Sequence, residues 1–254
     1  MGLTMMLRTV VCIALVLVLS GIFPDVGRAD DGKVSNWPEK GAVDYRVSYG
    51  EGGLVIGQAH YSWSHDGQKY QMRLALETTG FAAMLYKFDY VQLSQGDIGE
   101  GGLRPLRLDV TQLGKKPEMA LFGWKGENGD GARVSIRQGE KERHNLELTA
   151  GDQDVLSIWR QIGHVAKLPD NLLVVSNKNA RHARVVDLGD VDLKVPVGRV
   201  ATRHVNARSE DGKLKIDFWL AKSHHMVPVR AILGGDKSDT LVLEAINVRV
   251  PLPD

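Results

Sequence analysis

Apolar and polar residues alternate with a period of two through most of the chain after residue 41, and this alternation constrains the fold more than any other feature. In the first such run Tyr45, Val47 and Tyr49 alternate with Arg46 and Ser48. Successive side chains of a β-strand point to opposite faces of the sheet, so this pattern gives one apolar face and one face for water. The alternation therefore predicts a mainly β protein.

Turn signals separate the alternating runs at intervals of roughly ten residues. Asp66-Gly67 lies between two such runs and predicts a hairpin, because a type I′ turn needs residues that accept positive φ. Further strands are predicted at 88–94, 106–111, 119–124, 133–137, 181–188, 200–206, 214–220, 227–233 and 241–248. Short strands with turns between them indicate a large curved antiparallel sheet or an incomplete β-barrel.

One segment, 152–166, has helical periodicity instead. Its apolar residues are spaced i, i+3, i+4, i+7 and i+10, on one face of an α-helix: Val155, Ile158, Trp159, Ile162 and Val165. Asp152 is the predicted N-cap, and Pro169 lies beyond the end. The sequence therefore predicts one main helix that packs its apolar face, led by Trp159, against the sheet.

The first 29 residues are typical of a secretory signal peptide. Arg8 supplies the positive charge, an apolar run extends over 9–23, and Gly27-Arg28-Ala29 places small residues at a cleavage site. This run is shorter than the roughly 20 residues that span a bilayer. We therefore expect export to the periplasm with cleavage after Ala29 and no stable membrane span in the mature chain. An uncleaved membrane anchor is the alternative interpretation.

The mature chain is interpreted as a flexible tail at 30–41 followed by a single β-rich domain at 42–254, because no linker interrupts the later pattern. The 32 basic and 31 acidic residues of the whole chain are interspersed. A basic stripe for nucleic acid is therefore absent from the sequence, and we expect no nucleic-acid partner. Cys12, the single cysteine, lies in the predicted signal peptide, so the mature core must fold without a disulfide.

Sequence motifs for catalysis and for metal binding are sparse. His224 and His225 are adjacent, and neighbours on a strand point to opposite faces, so the pair cannot share one ion there. We expect surface or turn histidines, no metal site and no cofactor. The chain has no Gly-x-Ser-x-Gly elbow, and Ser157, near Asp154, is interpreted as a helix-surface or buried small residue. Catalytic groups can still assemble from distant residues, so a hydrolase is not excluded.

Asp217 is unusual because its neighbours on the predicted strand are apolar. A carboxylate in such a setting is either catalytic or paired with a cation. We favour a structural ion pair with an arginine on an adjacent strand, such as Arg230.

Several segments resemble a known family by their joint order and spacing. They are Gly-Leu-Arg-Pro-Leu-Arg at 102–107, Asp-Gln-Asp-Val-Leu-Ser-Ile at 152–158 and Val-Pro-Val-Gly-Arg-Val-Ala-Thr at 195–202, followed by Asp-Phe-Trp-Leu at 217–220 and Val-Pro-Val-Arg at 227–230. This order resembles the bacterial envelope family catalogued as domain of unknown function 3108, over almost the whole mature chain. Val197 departs from the pattern, since the family often has alanine there.

The resemblance implies an exported, β-rich protein without an established activity. It also implies an architecture similar to the curved-sheet, half-barrel proteins that carry lipoproteins between membranes. Likeness of fold does not fix function, and the resemblance supplies no catalytic residues.

A short apolar connection between two predicted strands is the candidate binding site. Phe81, Met84, Leu85 and Tyr86 lie where polar loop residues are expected, and they are predicted to contact a ligand as a lid at a barrel mouth. They could instead plug the open end of the sheet.

These observations favour a non-enzymatic periplasmic protein that binds a hydrophobic small molecule, a lipid or an envelope protein in the concave face of its sheet. A hydrolase acting on a cell-envelope polymer and a structural accessory of an envelope complex are the rivals. Converging carboxylates or a Ser–His pair in a cleft would favour the hydrolase, and a filled sheet interior would favour the accessory.

Overall fold

The structure is a computed structural model that describes residues 37–125, 131–165, 169, 171–234 and 240–251. These residues form a mainly β protein built on one 15-stranded sheet, with two α-helices among them. The predicted signal peptide and the first part of the predicted tail lie outside the described residues. In the rest of that tail, Trp37 is buried and the first strand begins at Lys40.

The strands and helices follow the predicted alternation closely. In chain order the first half contains β1 (Lys40–Tyr49), β2 (Val55–His65), β3 (Lys69–Thr78), α1 (Gly80–Leu85), β4 (Asp89–Gly99), β5 (Gly102–Gln112), β6 (Glu118–Gly123), β7 (Arg133–Gln138) and β8 (Lys141–Glu147). The second half contains β9 (Gln153–Asp154), α2 (Ile158–His164), β10 (Leu172–Val175), β11 (Ala180–Val195), β12 (Gly198–Ser209), β13 (Lys215–Ala221), β14 (Val227–Gly234) and β15 (Leu241–Arg249).

The sheet is open but strongly curved. Its order is β8-β7-β6-β5-β4-β3-β2-β1-β15-β14-β13-β12-β11-β10-β9, so β8 and β9 are the two edges. All neighbours are antiparallel except β9 and β10, which are parallel. The edge strand β9 nevertheless reaches β5, where Gln153 Nε2 donates to the carbonyl of Leu103 at 2.8 Å. Side-chain contacts thus bring distant strands together without closing the barrel.

The interior face of the curved sheet holds the core, and α2 lies against it. Apolar side chains at alternating positions point inward, for example Tyr45, Tyr61 and Met72, all fully buried. Trp159 of α2 is 1% exposed. The hydrophobic side of the strands and the apolar stripe of the helix are therefore buried against each other, as the sequence pattern predicts.

The main helix is shorter than predicted. It covers Ile158–His164, whereas residues 153–154 pair with β10 as a strand. Asp154 rather than Asp152 organises the helix start, because its Oδ1 accepts the backbone N–H groups of Leu156 and Ser157 at 2.7 and 2.8 Å. The apolar spacing of 155–165 is compatible both with an extended segment before the helix and with a first helical turn. The spacing therefore did not show where the helix begins.

Three strands were not predicted: β9 lies in the segment predicted as helix, and β8 and β10 lack the alternating pattern. The edge strand β8 carries mostly exposed polar residues, whereas all four residues of β10 are buried. The predicted hairpin between β2 and β3 is present, but its turn is not type I′. Gly67 alone takes positive φ, and Asp66 Oδ1 accepts the N–H groups of Gln68 and Lys69.

Candidate functional site

The connection between β3 and β4 forms α1, and its apolar side chains point away from the protein. None of its residues is buried, and Phe81, Met84, Leu85 and Tyr86 are 69%, 82%, 73% and 63% exposed. We call these four residues the α1 cap. Monomeric soluble proteins rarely expose a contiguous apolar patch without a binding role. The α1 cap is therefore the candidate functional site.

Hydrogen bonds hold the α1 cap in place, so its exposure does not arise from a loose loop. Thr78 Oγ1 donates to the carbonyl of Tyr86 at 2.9 Å and accepts the N–H of Phe88 at 3.0 Å. The N–H of Thr79 donates to the carbonyl of Ile56 on β2 at 3.2 Å. Gly80 has a φ of +57°, which suits glycine at the sharp entry into the helix.

An aromatic row leads from the α1 cap into the curved sheet. The Tyr86 and Phe88 rings are 6.2 Å apart, and those of Phe88 and Tyr90 are stacked at 5.9 Å. Tyr90 lies opposite Leu76 and therefore points to the interior face. The row ends at Gln92, which is buried and donates from Nε2 to Tyr90 Oη at 2.9 Å. The structure thus joins the cap to the half-buried Phe88 and Tyr90, which sequence analysis did not include in the site.

Deeper in the concave face, side chains occupy the space beside α2. The Trp159 ring lies 6.2 Å from Tyr45 in an edge-on arrangement and 5.2 Å from both Tyr61 and Phe218. Tyr45 Oη also donates across the interior to the carbonyl of Pro228 at 2.7 Å. The interior is filled at this level, so apolar surface for a ligand is found near the α1 cap instead.

A buried polar cluster ties α2 to the sheet. Asp154 Oδ2 accepts from Ser94 Oγ at 2.6 Å, and Gln161 Oε1 accepts the N–H of Leu103 at 2.7 Å. Gln161 Nε2 donates to the carbonyl of Gly101 at 2.9 Å. Asp154, Ser157 and Gln161 are spaced i, i+3 and i+7, and such a polar stripe on a predicted helix is normally a solvent face. Ser157 is fully buried, which agrees with one of its two interpretations.

Arg160 is a second buried polar group that the sequence did not reveal. Its guanidinium lies 5.2 Å from the Trp37 ring and 4.9 Å from the Trp63 ring, and its Nη2 contacts His164 Nε2. Burial lowers the pKa of Arg160 to about 10. The aromatic faces stabilise the cation, which would otherwise be costly to bury.

Asp217 forms an ion pair with an arginine on an adjacent strand, as predicted, but that arginine is not Arg230. Its carboxylate accepts from Arg208 Nη2 at 3.0 and 3.2 Å and lies 3.1 Å from His204 Nε2, both on the adjacent strand β12. Arg230 lies over the Trp219 ring at 4.9 Å and contacts Glu51 at 3.3 Å. Arg230 lies on the same face of the sheet as Asp217, but the register of β13 and β14 places it opposite Trp219, whereas Ile232 lies opposite Asp217.

The two adjacent histidines lie in the turn between β13 and β14, as expected. His224 closes a 3-10 turn, and His225 takes a positive φ of 52°. Ser223 Oγ lies 2.9 Å from His224 Nδ1, and both residues line a shallow groove of about 460 Å³. A Ser–His pair acts as a nucleophile when a carboxylate orients the histidine. Among the described residues His224 has no such partner.

The described part of the chain also contains no group of three or more His, Cys, Asp or Glu side chains placed to hold a metal ion. In the same residues, no helix has the length and apolar character needed to cross a membrane.

Comparison with known proteins places the chain in a family. The model for "Protein of unknown function (DUF3108)" matches residues 44–234, which span most of the sheet and both helices. The chain belongs to the DUF3108 family. This membership confirms the resemblance carried by the motifs at 102–107, 152–158 and 195–202. In this DUF3108 protein the first two motifs meet, because Gln153 of the second donates to the carbonyl of Leu103 in the first.

A solved structure has a similar fold. It is the crystal structure of a β-barrel-like protein of domain of unknown function DUF1849 from Brucella abortus, with a TM-score of 0.55 and 10% sequence identity. The match covers 85% of this chain and 98% of that chain. At this identity the likeness shows the fold alone. No curated protein matches the sequence.

Proposed function

We propose that this DUF3108 protein is a non-enzymatic binding protein that holds the acyl chain of a lipid or another hydrophobic molecule at the α1 cap. The observation that carries the proposal is the continuity of exposed and half-buried apolar groups from α1 to the aromatic row Tyr86–Phe88–Tyr90. An acyl chain lying along this row would cover the cap and enter the mouth of the curved sheet.

The chemistry of the α1 cap suits such a ligand. Covering one exposed Leu, Met or Phe side chain yields about 1.5–3 kcal/mol, so a few contacts provide useful affinity. Apart from the Tyr86 phenol, the cap carries no titratable group that could act as a general acid or base. Side chains fill the interior around Trp159, a feature that by itself favours the accessory role, so the ligand of this proposal binds at the mouth rather than deep in the concave face.

We expect saturable binding of a fluorescent acyl-chain probe, used below its critical micelle concentration. Leu85→Asp or Phe81→Asp should weaken it roughly 10- to 100-fold, because the contact is lost and a charge enters an apolar site. Phe88→Ala should also weaken it. Both cap positions are exposed, so circular dichroism and the melting temperature should stay close to those of the wild type.

Leu188→Asp is the matched control, since Leu188 is an exposed apolar residue on β11, 51% accessible and outside the site. It should bind the probe as the wild type does. If the wild type does not bind the probe saturably, or if Leu188→Asp weakens binding as much as Leu85→Asp, the carrier role is wrong. The accessory role in an envelope complex would then be favoured.

We also propose that the protein works in the periplasm after removal of residues 1–29. The short apolar run and the small residues before Asp30 support this location. Amino-terminal sequencing of the exported protein should show a mature chain that starts at Asp30. A chain recovered from the membrane fraction that still begins at residue 1 or 2 would contradict it.

A further inference from the structure

The α1 cap is part of a larger apolar surface built from three separate connections. Leu54 and Val55 at the start of β2 are 70% and 47% exposed, and Leu113 after β5 is 55% exposed. The antiparallel order places all three connections at the same end of the sheet. We call the α1 cap together with Leu54, Val55 and Leu113 the tip surface.

Backbone hydrogen bonds place these connections side by side. On one flank, the N–H of Thr79 donates to Ile56, which follows Leu54 and Val55. On the other flank, the N–H of Leu113 donates to the carbonyl of Asp89 at 2.9 Å, just after the cap. The start of β2, α1 and the turn after β5 therefore lie side by side at this end of the sheet.

Three lysines border the tip surface. Lys87 directly follows Tyr86 of the cap, and Lys115 and Lys116 lie in the same turn as Leu113. All three are exposed and lie in connections beyond the strand ends. Four acidic residues also lie at this end: the exposed Glu77 and Asp89 face each other on β3 and β4, Glu118 at the start of β6 accepts from Gln138 Nε2 at 3.1 Å, and Glu51 contacts Arg230 at 3.3 Å. Unlike the lysines, Glu77, Asp89 and Glu118 lie within strands.

We propose that the tip surface docks on the surface of a bilayer that contains anionic lipids. Apolar side chains at a protein tip enter the boundary between headgroups and acyl chains, while neighbouring lysines interact with anionic headgroups. The role of this docking rests on the proposed function, because a docked protein would hold the mouth of the sheet next to a source of acyl chains. The docking itself uses Leu54, Leu113 and the lysines, which lie outside the aromatic row.

Vesicle co-sedimentation tests the docking. The wild type should bind vesicles of phosphatidylethanolamine and phosphatidylglycerol, and it should bind phosphatidylcholine vesicles much more weakly. Each lysine near an anionic surface contributes roughly fivefold in affinity, so the double variant Lys115→Gln/Lys116→Gln should lose roughly 25-fold. Added salt should weaken wild-type binding, because the Debye length shortens from about 10 Å at 0.1 M to about 3 Å at 1 M.

Apolar and charge controls separate docking from general effects. Leu113→Asp should reduce vesicle binding, whereas Leu188→Asp should not. Lys194 lies near the end of β11 that is on the opposite side of the sheet from the tip surface. Lys194→Gln should therefore bind vesicles like the wild type. Docking is wrong if the wild type does not sediment with anionic vesicles, or if Lys194→Gln has the same effect as the Lys115/Lys116 pair.

The failures of the two proposals can be told apart. Lys115→Gln/Lys116→Gln should leave binding of the monomeric acyl probe unchanged, and Phe88→Ala should leave vesicle binding unchanged. Vesicle binding without probe binding would overturn the proposed function but not the docking. Probe binding without vesicle binding would overturn the docking alone.

Discussion

Trp159→Ala should lower the free energy of unfolding by roughly 3–5 kcal/mol, the largest effect expected from a single substitution in this protein. Trp159 is 1% exposed and touches aromatic side chains from the consecutive strands β1 and β2 and from β13, which is far from them in sequence. Truncation would leave a cavity where the helix meets both halves of the sheet. Urea denaturation followed by circular dichroism measures the loss.

Two other tryptophan substitutions serve as comparisons for that result. Trp159→Phe keeps most of the contact and should cost less than the alanine variant. Trp219→Ala removes a half-buried ring from the outer face, where it stacks on His204 at 4.2 Å, and should cost less still. A loss below about 1 kcal/mol for Trp159→Ala would show that α2 does not anchor the core.

Asp154→Ala should cost about 3 kcal/mol, because three donors lose their acceptor in the interior. These donors are Ser94 Oγ and the backbone N–H groups of Leu156 and Ser157. Asp154→Asn is the matched control, since its amide oxygen can still accept the two backbone N–H groups. We expect the asparagine variant to stay within about 1 kcal/mol of the wild type at neutral pH.

The same residue gives stability a defined pH dependence. Burial raises the pKa of Asp154, and the hydrogen bonds from Ser94, Ser157 and Leu156 oppose that rise. The folded protein then holds this proton more tightly than the unfolded chain, whose aspartates titrate near pH ~3.9. The contribution of Asp154 is therefore full below that pH and falls as the pH rises through the folded pKa.

Denaturation at a series of pH values checks the sign. The free energy of unfolding of the wild type relative to Asp154→Asn should decrease from acidic to neutral pH. A relative stability that increases over this range would mean that the pKa of Asp154 is lowered in the folded state, and the assigned role of burial would be wrong.

Local patterns in the sequence determined much of the fold. Alternation with a period of two marks strands whose two faces meet different environments, so Tyr45 and Val47 were identifiable as inward-facing residues. The same logic fails for β10, which is buried on both faces, and for β8, which is polar at an edge. Neither strand leaves an alternating pattern in the sequence, because neither separates core from water by its faces.

The candidate site was identifiable only in part. An apolar connection stands out against polar loops, so Phe81, Met84, Leu85 and Tyr86 could be selected from the sequence. Phe88 and Tyr90 were assigned to an ordinary strand, since nothing local says which interior side chains lie next to an open end. Leu54 and Leu113 lie in other turns, and only the antiparallel strand order brings them to the same end.

The sequence by itself determined the β class, the existence of a helix near Trp159 and the apolar character of α1, because each depends on spacing within one segment. The tertiary structure decided where the helix begins, which arginine pairs with Asp217 and how the apolar connections combine into one tip surface. Those outcomes depend on contacts between residues far apart in the chain, such as Ser94 with Asp154 and Leu103 with Gln161. Curvature of the sheet creates such contacts, and periodicity within a single strand does not encode it.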